Sequence, residues 1–378
     1  MRIFARRLFD GNKILTNMAV TLENGIVAAI ESGDSGDLAA DLLSPGLTDV
    51  HHHGAWGFDT PRPAWDMAGI WVRKLAENGV TGVLYTIATG PKDGTKNALA
   101  FAREMMARQA KGGLPGARVL GVHLEGPFIS EKRSGAMNKS LIQAPSIKAF
   151  EEIAGEYKDI VRVVTLAPEV PGAMELIKYL SDQSIRVQAG HTDATFEQAE
   201  AAFGGGVTGI CHFFNAARPI AHRDPGPLTA ALVHPEIFGE IICDMVHVDP
   251  AAIRLVLKCK AADHMMMISD SAPTAGLPDG SYYVNNHPVI VREGKNFTES
   301  GGIAGSGKQT GQCVRFLYEN GIPMEDVLTM AAVTPARWLS MEGQLGTIKP
   351  GSRACFTAFH GDMSPAFTLV DGKHFAAE

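Results

Sequence analysis

Eight short apolar segments, most of them separated by helix-like stretches, run through the middle of this 378-residue chain. The apolar segments are predicted strands, at residues 47–50, 82–87, 119–123, 161–166, 186–189, 209–212, 239–243 and 265–269. The helix-like stretches include residues 64–78, 94–111, 147–157, 173–181, 195–203 and 250–260. Strands that alternate with helices form parallel β/α units. Eight such units over about 300 residues favour an α/β fold of the (β/α)8 TIM type over an open doubly wound sheet.

The two ends of the chain show a different pattern, in which short strand-like runs are broken by turns. Residues 2–9, 18–22 and 26–30 form such runs, and Asn24-Gly25 between the last two indicates a hairpin. Residues 346–348, 354–359 and 367–370 repeat the pattern at the other end. We therefore predict one small β-sandwich domain built from residues 1–46 and 345–378, with the barrel over residues 47–344.

Charge and cysteine content exclude several classes of function. The chain has 34 Lys and Arg against 41 Asp and Glu, and this balance argues against broad electrostatic binding to nucleic acid or anionic membrane. No segment approaches the roughly 18 consecutive apolar residues of a membrane span, and the N-terminus lacks the apolar core of a signal peptide. The five cysteines are scattered without a C-x-x-C pair, which is typical of a reduced protein and predicts a cytoplasmic location.

Residues that can bind metal stand at the ends of the predicted strands. The carboxyl ends of barrel strands converge on one face, so residues far apart in sequence can meet around one ion. Imidazole and carboxylate ligands suit zinc and also iron, manganese or cobalt. Each residue alone has an ordinary structural explanation, such as a hydrogen-bonded histidine or an aspartate in a turn. Together they predict a metal site formed by His51, His53, Glu125, His191, His212 and Asp270.

The segments around these residues resemble the amidohydrolase superfamily and, within it, the family of N-acetylglucosamine-6-phosphate deacetylases. The most specific match is residues 123–128, which resemble the family's H-L-E-G-P-[FW] motif. The likeness runs from about residue 20 to residue 360 and includes residues 44–54, 190–195, 212–217, 223–226, 247–249 and 346–351.

The resemblance implies hydrolysis of the acetamide of N-acetylglucosamine 6-phosphate to glucosamine 6-phosphate and acetate. It implies one or two divalent transition metal ions per subunit, with zinc favoured. Glu125, His191 and His212 would form one metal site of this family. His51 and His53 would add a second site, with Glu125 bridging the two ions.

The resemblance also assigns the remaining roles. Asp270 would take a proton from the attacking water and pass it to the leaving amine. Asn215 and the backbone of Ala216 match phosphate contacts, and His247 matches a histidine near the reacting amide. Arg223 matches an arginine that reaches the phosphate from the neighbouring subunit, which implies a homodimer, whereas its residue chemistry alone indicates only a solvated loop charge.

Met137 departs from the family pattern, because this position usually holds a histidine that touches the sugar ring. The alternative function is therefore deacetylation of an epimeric or unphosphorylated N-acetyl amino sugar. Hydrolysis of a cyclic amide or dipeptide is a further alternative, but residues 161–166 lack the lysine that many cyclic amidases carboxylate on strand four. A non-catalytic protein of this fold is a third interpretation, and the complete set of metal-binding residues argues against it.

Overall fold

The structure is a computed structural model of the chain, and it describes residues 1–284 and 287–377. The strands, in chain order, are β1 (Arg2–Phe9), β2 (Ile14–Glu23), β3 (Ile26–Ser32), β4 (Leu38–Pro45), β5 (Leu47–His52), β6 (Gly54–Ala55), β7 (Phe58–Asp59), β8 (Val80–Ala88), β9 (Arg118–Glu125), β10 (Val161–Leu166), β11 (Arg186–Ala189), β12 (Val207–Ile210), β13 (Phe238–Ile242), β14 (Met265–Ile268), β15 (Gly280–Val284), β16 (His287–Arg292), β17 (Lys295–Thr298), β18 (Phe356–Phe359), β19 (Pro365–Val370) and β20 (Lys373–Ala376).

The α-helices are α1 (Trp65–Glu77), α2 (Lys92–Ala110), α3 (Ile147–Ala154), α4 (Ala173–Asp182), α5 (Phe196–Gly205), α6 (Pro227–Val233), α7 (Pro250–Cys259), α8 (Thr310–Glu319), α9 (Met324–Leu328) and α10 (Thr334–Trp338). Single turns of 3-10 helix lie at Glu131–Arg133, Lys139–Leu141 and Ala262–His264, a longer one at Gly155–Ile160, and a π-helical turn at Thr329–Val333. No helix within the described ranges has both the length and the apolar character needed to cross a membrane.

A parallel sheet forms the barrel, in the order β14-β13-β12-β11-β10-β9-β8-β5. Each strand predicted for the middle of the chain overlaps one of these strands, so the predicted (β/α)8 barrel is confirmed. The edge strands β5 and β14 meet at their carboxyl ends. There the backbone N–H of Asp270 donates to the carbonyl oxygen of His51 at 3.0 Å, and that of His53 donates to the carbonyl of Ser271 at 2.9 Å. These bonds join the edges at the end where the predicted ligands lie.

Two apolar layers hold the barrel together. The helices cover its outside with buried side chains such as Trp71 and Leu75 of α1. Each such side chain contributes about 1.5–3 kcal/mol to stability when it leaves water. A separate cluster joins strand residues to α10 and fills the interior, and it consists of Val50, Leu84, Leu120, Val163, Ile242, Met266, Ile268, Ala336, Trp338 and Leu345.

Both termini contribute to a second sheet, which has the order β20-β19-β18-β4-β1-β2-β3. This sheet confirms the predicted small β domain formed by the two ends of the chain, and its strands share one apolar core. β2 and β3 pair antiparallel around the predicted hairpin, where Asn24 and Gly25 have φ values of 50° and 76°. A tight hairpin turn of the primed type needs positive φ at both central residues. The domain boundaries at residues 46 and 344 stay predictions.

The junction between the two sheets depends on Gly46, which links β4 to β5. The Gly46 N–H donates to the carbonyl oxygen of Cys355 at 2.9 Å. A Cβ atom at position 46 would lie 2.1 Å from Oγ1 of Thr81, so only glycine fits here. The terminal sheet thereby fixes the start of β5, the strand that leads into His51 and His53.

Part of the strand prediction is wrong. Residues 346–348, predicted as a strand, form none in the structure. Ile348 is buried in the core of the terminal sheet, and its backbone N–H donates to the carbonyl of Asp10 at 2.9 Å, so burial in an irregular segment produced its strand-like pattern. The sequence pattern also missed β4, β20 and the antiparallel sheet β15-β16-β17, which lies between β14 and α8.

Candidate metal centre

The predicted ligands lie at the carboxyl ends of the barrel strands, where the chain turns into a loop. Glu125 is the last residue of β9, while His191, His212 and Asp270 each follow their strand by two residues. These three residues have φ values of 47°, 22° and 49°. Positive φ is uncommon for residues other than glycine and costs of order 1–3 kcal/mol at each position. Strained backbone at the carboxyl ends of three strands of one sheet is typical of a functional site.

Glu125 lies at the centre of the cluster and divides its two carboxylate oxygens. Its Oε1 lies 2.9 Å from Nε2 of His212 and 3.0 Å from Nε2 of His191. Its Oε2 lies 3.3 Å from Nε2 of His53. Oε1 also lies 3.5 Å from Nε2 of His51, so the carboxylate stands between the two groups of ligands.

The second group consists of His51, His53 and Asp270. The Nε2 atoms of His51 and His53 lie 3.1 Å apart, so the two side chains point to the same side, as alternate residues of a strand do. Asp270 Oδ1 lies 3.3 Å from Nε2 of His53 and 3.5 Å from Nε2 of His51. His52 points away and forms a 3.1 Å hydrogen bond with Gln309. His51 and His53, which are two positions apart in the sequence, thus supply two nitrogens to the group that contains Asp270.

Hydrogen bonds on the far side of the rings orient the histidines. Nδ1 of His191 lies 2.9 Å from the carbonyl oxygen of Arg133, and Nδ1 of His212 lies 3.2 Å from that of Asn215. A carbonyl oxygen only accepts, so each Nδ1 carries the proton and donates it. Each Nε2 faces Glu125, and it is the nitrogen that a metal ion would bind in the neutral imidazole.

The negative charge of the carboxylates buried among these ligands requires a positive partner. His51 is 0% exposed and Glu125 is 3% exposed. Burial lowers the pKa of His51, but the charges around it, with Glu240 first among them, outweigh burial and raise its pKa well above the ordinary value. Burial raises the pKa of Glu125, but His51 and hydrogen bonds to His191 and His212 hold it well below the ordinary value. Buried carboxylates of this kind persist only when they are paired with cations.

The donor set fits divalent metal ions. Donor atoms bound to one transition metal ion at about 2 Å lie about 3 Å from one another, and the separations in both groups are of this size. The residues that bring ligand atoms together in this way include Glu125 with His191 and His212, and His51 with His53 and Asp270. Imidazole nitrogens combined with carboxylate oxygens suit zinc, iron, manganese or cobalt better than calcium or magnesium.

Comparison with known proteins agrees with this geometry. Residues 42–374 match the profile of the amidohydrolase family. The chain belongs to the amidohydrolase family. This family is metal-dependent, and the groups described above are able to hold metal.

Individual relatives of this amidohydrolase cover nearly its whole length. An N-acetylglucosamine-6-phosphate deacetylase of Vibrio furnissii is 36% identical, over 98% of this chain and 93% of the relative. An N-acetylgalactosamine-6-phosphate deacetylase of Escherichia coli O157:H7 is 35% identical, over 98% and 97%. The solved structure of a mutant N-acetyl-D-glucosamine-6-phosphate deacetylase of Mycobacterium smegmatis, in complex with N-acetyl-D-glucosamine-6-phosphate, superposes with a TM-score of 0.92. It is 27% identical and covers 100% of this chain and 99% of that one.

Two predicted substrate residues of this amidohydrolase lie in the loop directly after His212. Asn215 is partly buried, and its Nδ2 donates to the carbonyl oxygen of Phe213 at 3.1 Å. Ala216 has a φ of 47°, and its carbonyl accepts from the N–H of Thr192 at 3.1 Å. Both residues are thus held beside the metal-binding group.

The other predicted substrate residues are His247, Arg223 and Met137. His247 is held by Asp244, whose Oδ2 lies 2.8 Å from Nδ1 of the imidazole. Burial lowers the pKa of His247, but the carboxylate of Asp244 outweighs burial and raises it above the ordinary value. Arg223 is exposed, and its side chain makes no hydrogen bond or ion pair within the described residues. Met137 is half-buried in a loop whose Gly135 lies against the ring of His191.

Sequence reasoning missed the side chains that support this loop and the ligands. Asp193 binds Lys132 and accepts a 2.8 Å hydrogen bond from Arg133, whose carbonyl orients His191. Burial raises the pKa of Asp193, but these cations lower it to about 2. The adjacent basic residues after the H-L-E-G-P motif were the available signal.

Glu240 was also missed, and it touches a predicted ligand directly. It lies in β13, is 0% exposed, and its Oε2 lies 2.9 Å from Nδ1 of His51. The signal in the sequence is one acidic residue within an otherwise apolar strand, Phe238–Ile242.

Proposed function

We propose that this chain hydrolyses the acetamide of N-acetylglucosamine 6-phosphate to glucosamine 6-phosphate and acetate. One observation carries the proposal: four imidazole nitrogens and two carboxylates meet at the carboxyl end of an amidohydrolase barrel. The Vibrio furnissii relative, named for this reaction, matches the chain over 98% of its length, which supports the same substrate here.

The ligands divide between two ions in this proposal. Glu125, His191 and His212 would hold the first ion, and His51 and His53 would hold the second, with Glu125 shared between the two. Zinc is the favoured metal, with iron, manganese and cobalt as alternatives. When bound, such ions supply Lewis acidity, which lowers the pKa of water to about 7 and polarises the acetyl carbonyl.

Asp270 moves the proton. As a carboxylate it accepts a proton at its side-chain oxygen from the water whose oxygen forms a bond to the acetyl carbon. It returns this proton to the sugar nitrogen as the C–N bond breaks, so the amine leaves neutral. The oxygen of the water and its second proton stay in acetic acid, which loses that proton to solvent and becomes acetate. Oδ1 of Asp270 lies 3.3 Å from Nε2 of His53, which places it beside the ligands.

The remaining residues bind the sugar phosphate. Asn215 and the backbone of Ala216 contact the phosphate, and Arg223 of a second subunit completes the phosphate site in a homodimer. Exposure of Arg223 and its lack of a partner within the described residues support this assignment. His247, oriented by Asp244, contacts the substrate near the amide, and Met137 lines the sugar side.

The five cysteines, all unpaired, support a reducing, cytoplasmic location. Small amino sugar phosphates, rather than nucleic acid or membrane, are the partners we infer.

Acetate release by metal-reconstituted protein tests the function. The substrates are N-acetylglucosamine 6-phosphate, its unphosphorylated form, and N-acetylgalactosamine 6-phosphate, which the Escherichia coli relative's name includes. We expect the highest kcat/KM with the first. Faster hydrolysis of the galactose epimer would move the substrate to that sugar, and equal rates without phosphate would discard the phosphate site.

A further inference from the structure

We propose that Glu240 is a positioning residue that holds the second metal ion in place by fixing the orientation and tautomer of His51. The inference rests on the two-ion centre of the proposed function. It adds a residue outside the ligand set and predicts that the two ions differ in their dependence on it.

The geometry around His51 leaves one arrangement of its proton. Glu240 Oε2 lies 2.9 Å from Nδ1 of His51, and an ionised carboxylate only accepts hydrogen bonds. His51 therefore donates from Nδ1, which leaves Nε2 as the nitrogen that can bind a metal ion. That nitrogen lies 3.1 Å from Nε2 of His53. Glu240 thus turns the metal-binding nitrogen towards the second group of ligands.

The two ligand groups differ in how their histidines are oriented. His191 and His212 both donate from Nδ1 to backbone carbonyl oxygens. His51 donates to a charged carboxylate instead. A hydrogen bond to an ionised acceptor is roughly twice as strong as one to a neutral acceptor, and it makes the imidazole a better electron donor to metal. Glu240 also accepts a 3.4 Å hydrogen bond from the backbone N–H of His212, but of these three rings only that of His51 donates directly to a carboxylate.

The buried charge of Glu240 supports the same conclusion. Glu240 is 0% exposed, and its Oε1 makes no hydrogen bond of ordinary length within the described residues, although the amide of Gln188 lies close enough to stabilise its charge. A buried carboxylate with an unpaired oxygen is costly unless positive charge lies nearby. Two divalent ions bring four positive charges, of which the carboxylates of Glu125 and Asp270 balance two. Glu240 supplies a third negative charge directly behind a ligand of the second ion.

A neighbouring histidine does not take this role. The ring of His123 lies 4.6 Å from that of His51, but both of its nitrogens are used elsewhere. Nδ1 lies 3.2 Å from the carbonyl oxygen of Val50, and Nε2 lies 2.8 Å from Oγ1 of Thr165. Thr165 therefore belongs to the same buried polar layer without touching His51, which makes it a suitable control position.

The test compares the full-length wild type with Glu240→Gln, Glu240→Asp and Thr165→Val after reconstitution with Mn²⁺. Metal content is measured by mass spectrometry after buffer exchange, and spin coupling between the two ions is measured by electron paramagnetic resonance. Glutamine keeps the size and an acceptor oxygen but removes the charge. We expect two coupled ions in wild type and Thr165→Val, but one uncoupled ion in Glu240→Gln. The second ion should dissociate about 10- to 100-fold more readily.

Each outcome decides between the two proposals. A wild type that binds one ion overturns the two-ion centre itself. A wild type and Glu240→Gln that hold two ions equally tightly overturn the role of Glu240 alone, as does loss of both ions from a natively folded Glu240→Gln. If that variant does not fold, Glu240→Asp decides: weaker binding of only the second ion supports the role, and unchanged binding refutes it.

Discussion

Nε2 of His53 and Oδ1 of Asp270 lie 3.3 Å apart, although the two residues follow strands at opposite edges of the barrel sheet. The backbone bond from the Asp270 N–H to the carbonyl of His51 joins these edges. Closure of the barrel therefore places the carboxylate of Asp270 beside His51 and His53. This placement connects the fold to the proposed proton transfer.

Replacing Asp270 with asparagine should remove that proton transfer. Asparagine has nearly the same size but cannot accept the proton, so we expect kcat to fall by about 100- to 10,000-fold. The ion held by Glu125, His191 and His212 should stay bound, as measured by metal analysis. Asp182→Asn, at an exposed position paired with Lys178, is the matched control and should retain wild-type kcat. Full activity of Asp270→Asn would refute the assigned role.

The two ligand groups should lose their ions separately. His191→Asn removes a nitrogen that faces Oε1 of Glu125, so it should release the first ion. His53→Asn removes a nitrogen that faces Oε2, so it should release the second ion and retain the first. Metal analysis of both purified variants checks this expectation. Each variant should retain about half of the metal that the wild type holds, and retention of all of it, or loss of all of it, in either variant would contradict two distinct sites.

Arg223→Ala should weaken binding of the phosphorylated sugar. Loss of a hydrogen bond between arginine and phosphate should raise KM about 10- to 100-fold, with little change in kcat. Steady-state kinetics with and without the 6-phosphate show whether the effect belongs to the phosphate. An unchanged KM for the phosphorylated sugar would remove Arg223 from the site.

Mixed dimers of Arg223→Ala and Asp270→Asn chains should show which subunit Arg223 serves. If Arg223 acts across the interface, one site of each mixed dimer contains both natural residues. The dimer should then recover about half of the wild-type kcat/KM, as each dimer has two sites. If Arg223 acts in its own subunit, no site is complete and the mixture stays as poor as its components.

Met137→His should shift the preference between sugar epimers. The loop of Met137 lies against His191, and histidine there would add a polar contact to the sugar ring. We expect the ratio of kcat/KM for the glucose form over the galactose form to rise. Met137→Leu, which keeps an apolar side chain of similar size, is the control. An unchanged ratio in both variants would place Met137 away from the sugar.

The barrel strands, and the residues at their carboxyl ends, were predictable because both depend on local sequence pattern. Apolar segments bounded by turns identified every barrel strand, and residues at strand ends in a parallel barrel must converge. The likeness to a known family added the roles that no pattern supplies. His212 was predicted as the end of a strand, whereas β12 ends at Ile210 and the chain then turns sharply.

Contacts between distant parts of the chain were not predictable. Glu240 appears in the sequence as one acid in an apolar strand, and its partner His51 lies 189 residues away. Strand β4 pairs with β18, which comes from the other end of the chain. Strand β20 pairs with β19, which itself belongs to the sheet through β18. Gly46 gives no signal of its own, because the clash that requires glycine involves Thr81 of another strand.

A metal titration of acetate release tests the central claim most directly. Metal-free protein is mixed with increasing Zn²⁺ at fixed N-acetylglucosamine 6-phosphate, and acetate is measured alongside bound metal. We predict no release without metal, and activity that rises until two ions are bound per chain. Release that is independent of metal, or no release at any metal content, would contradict metal-dependent deacetylation at this site.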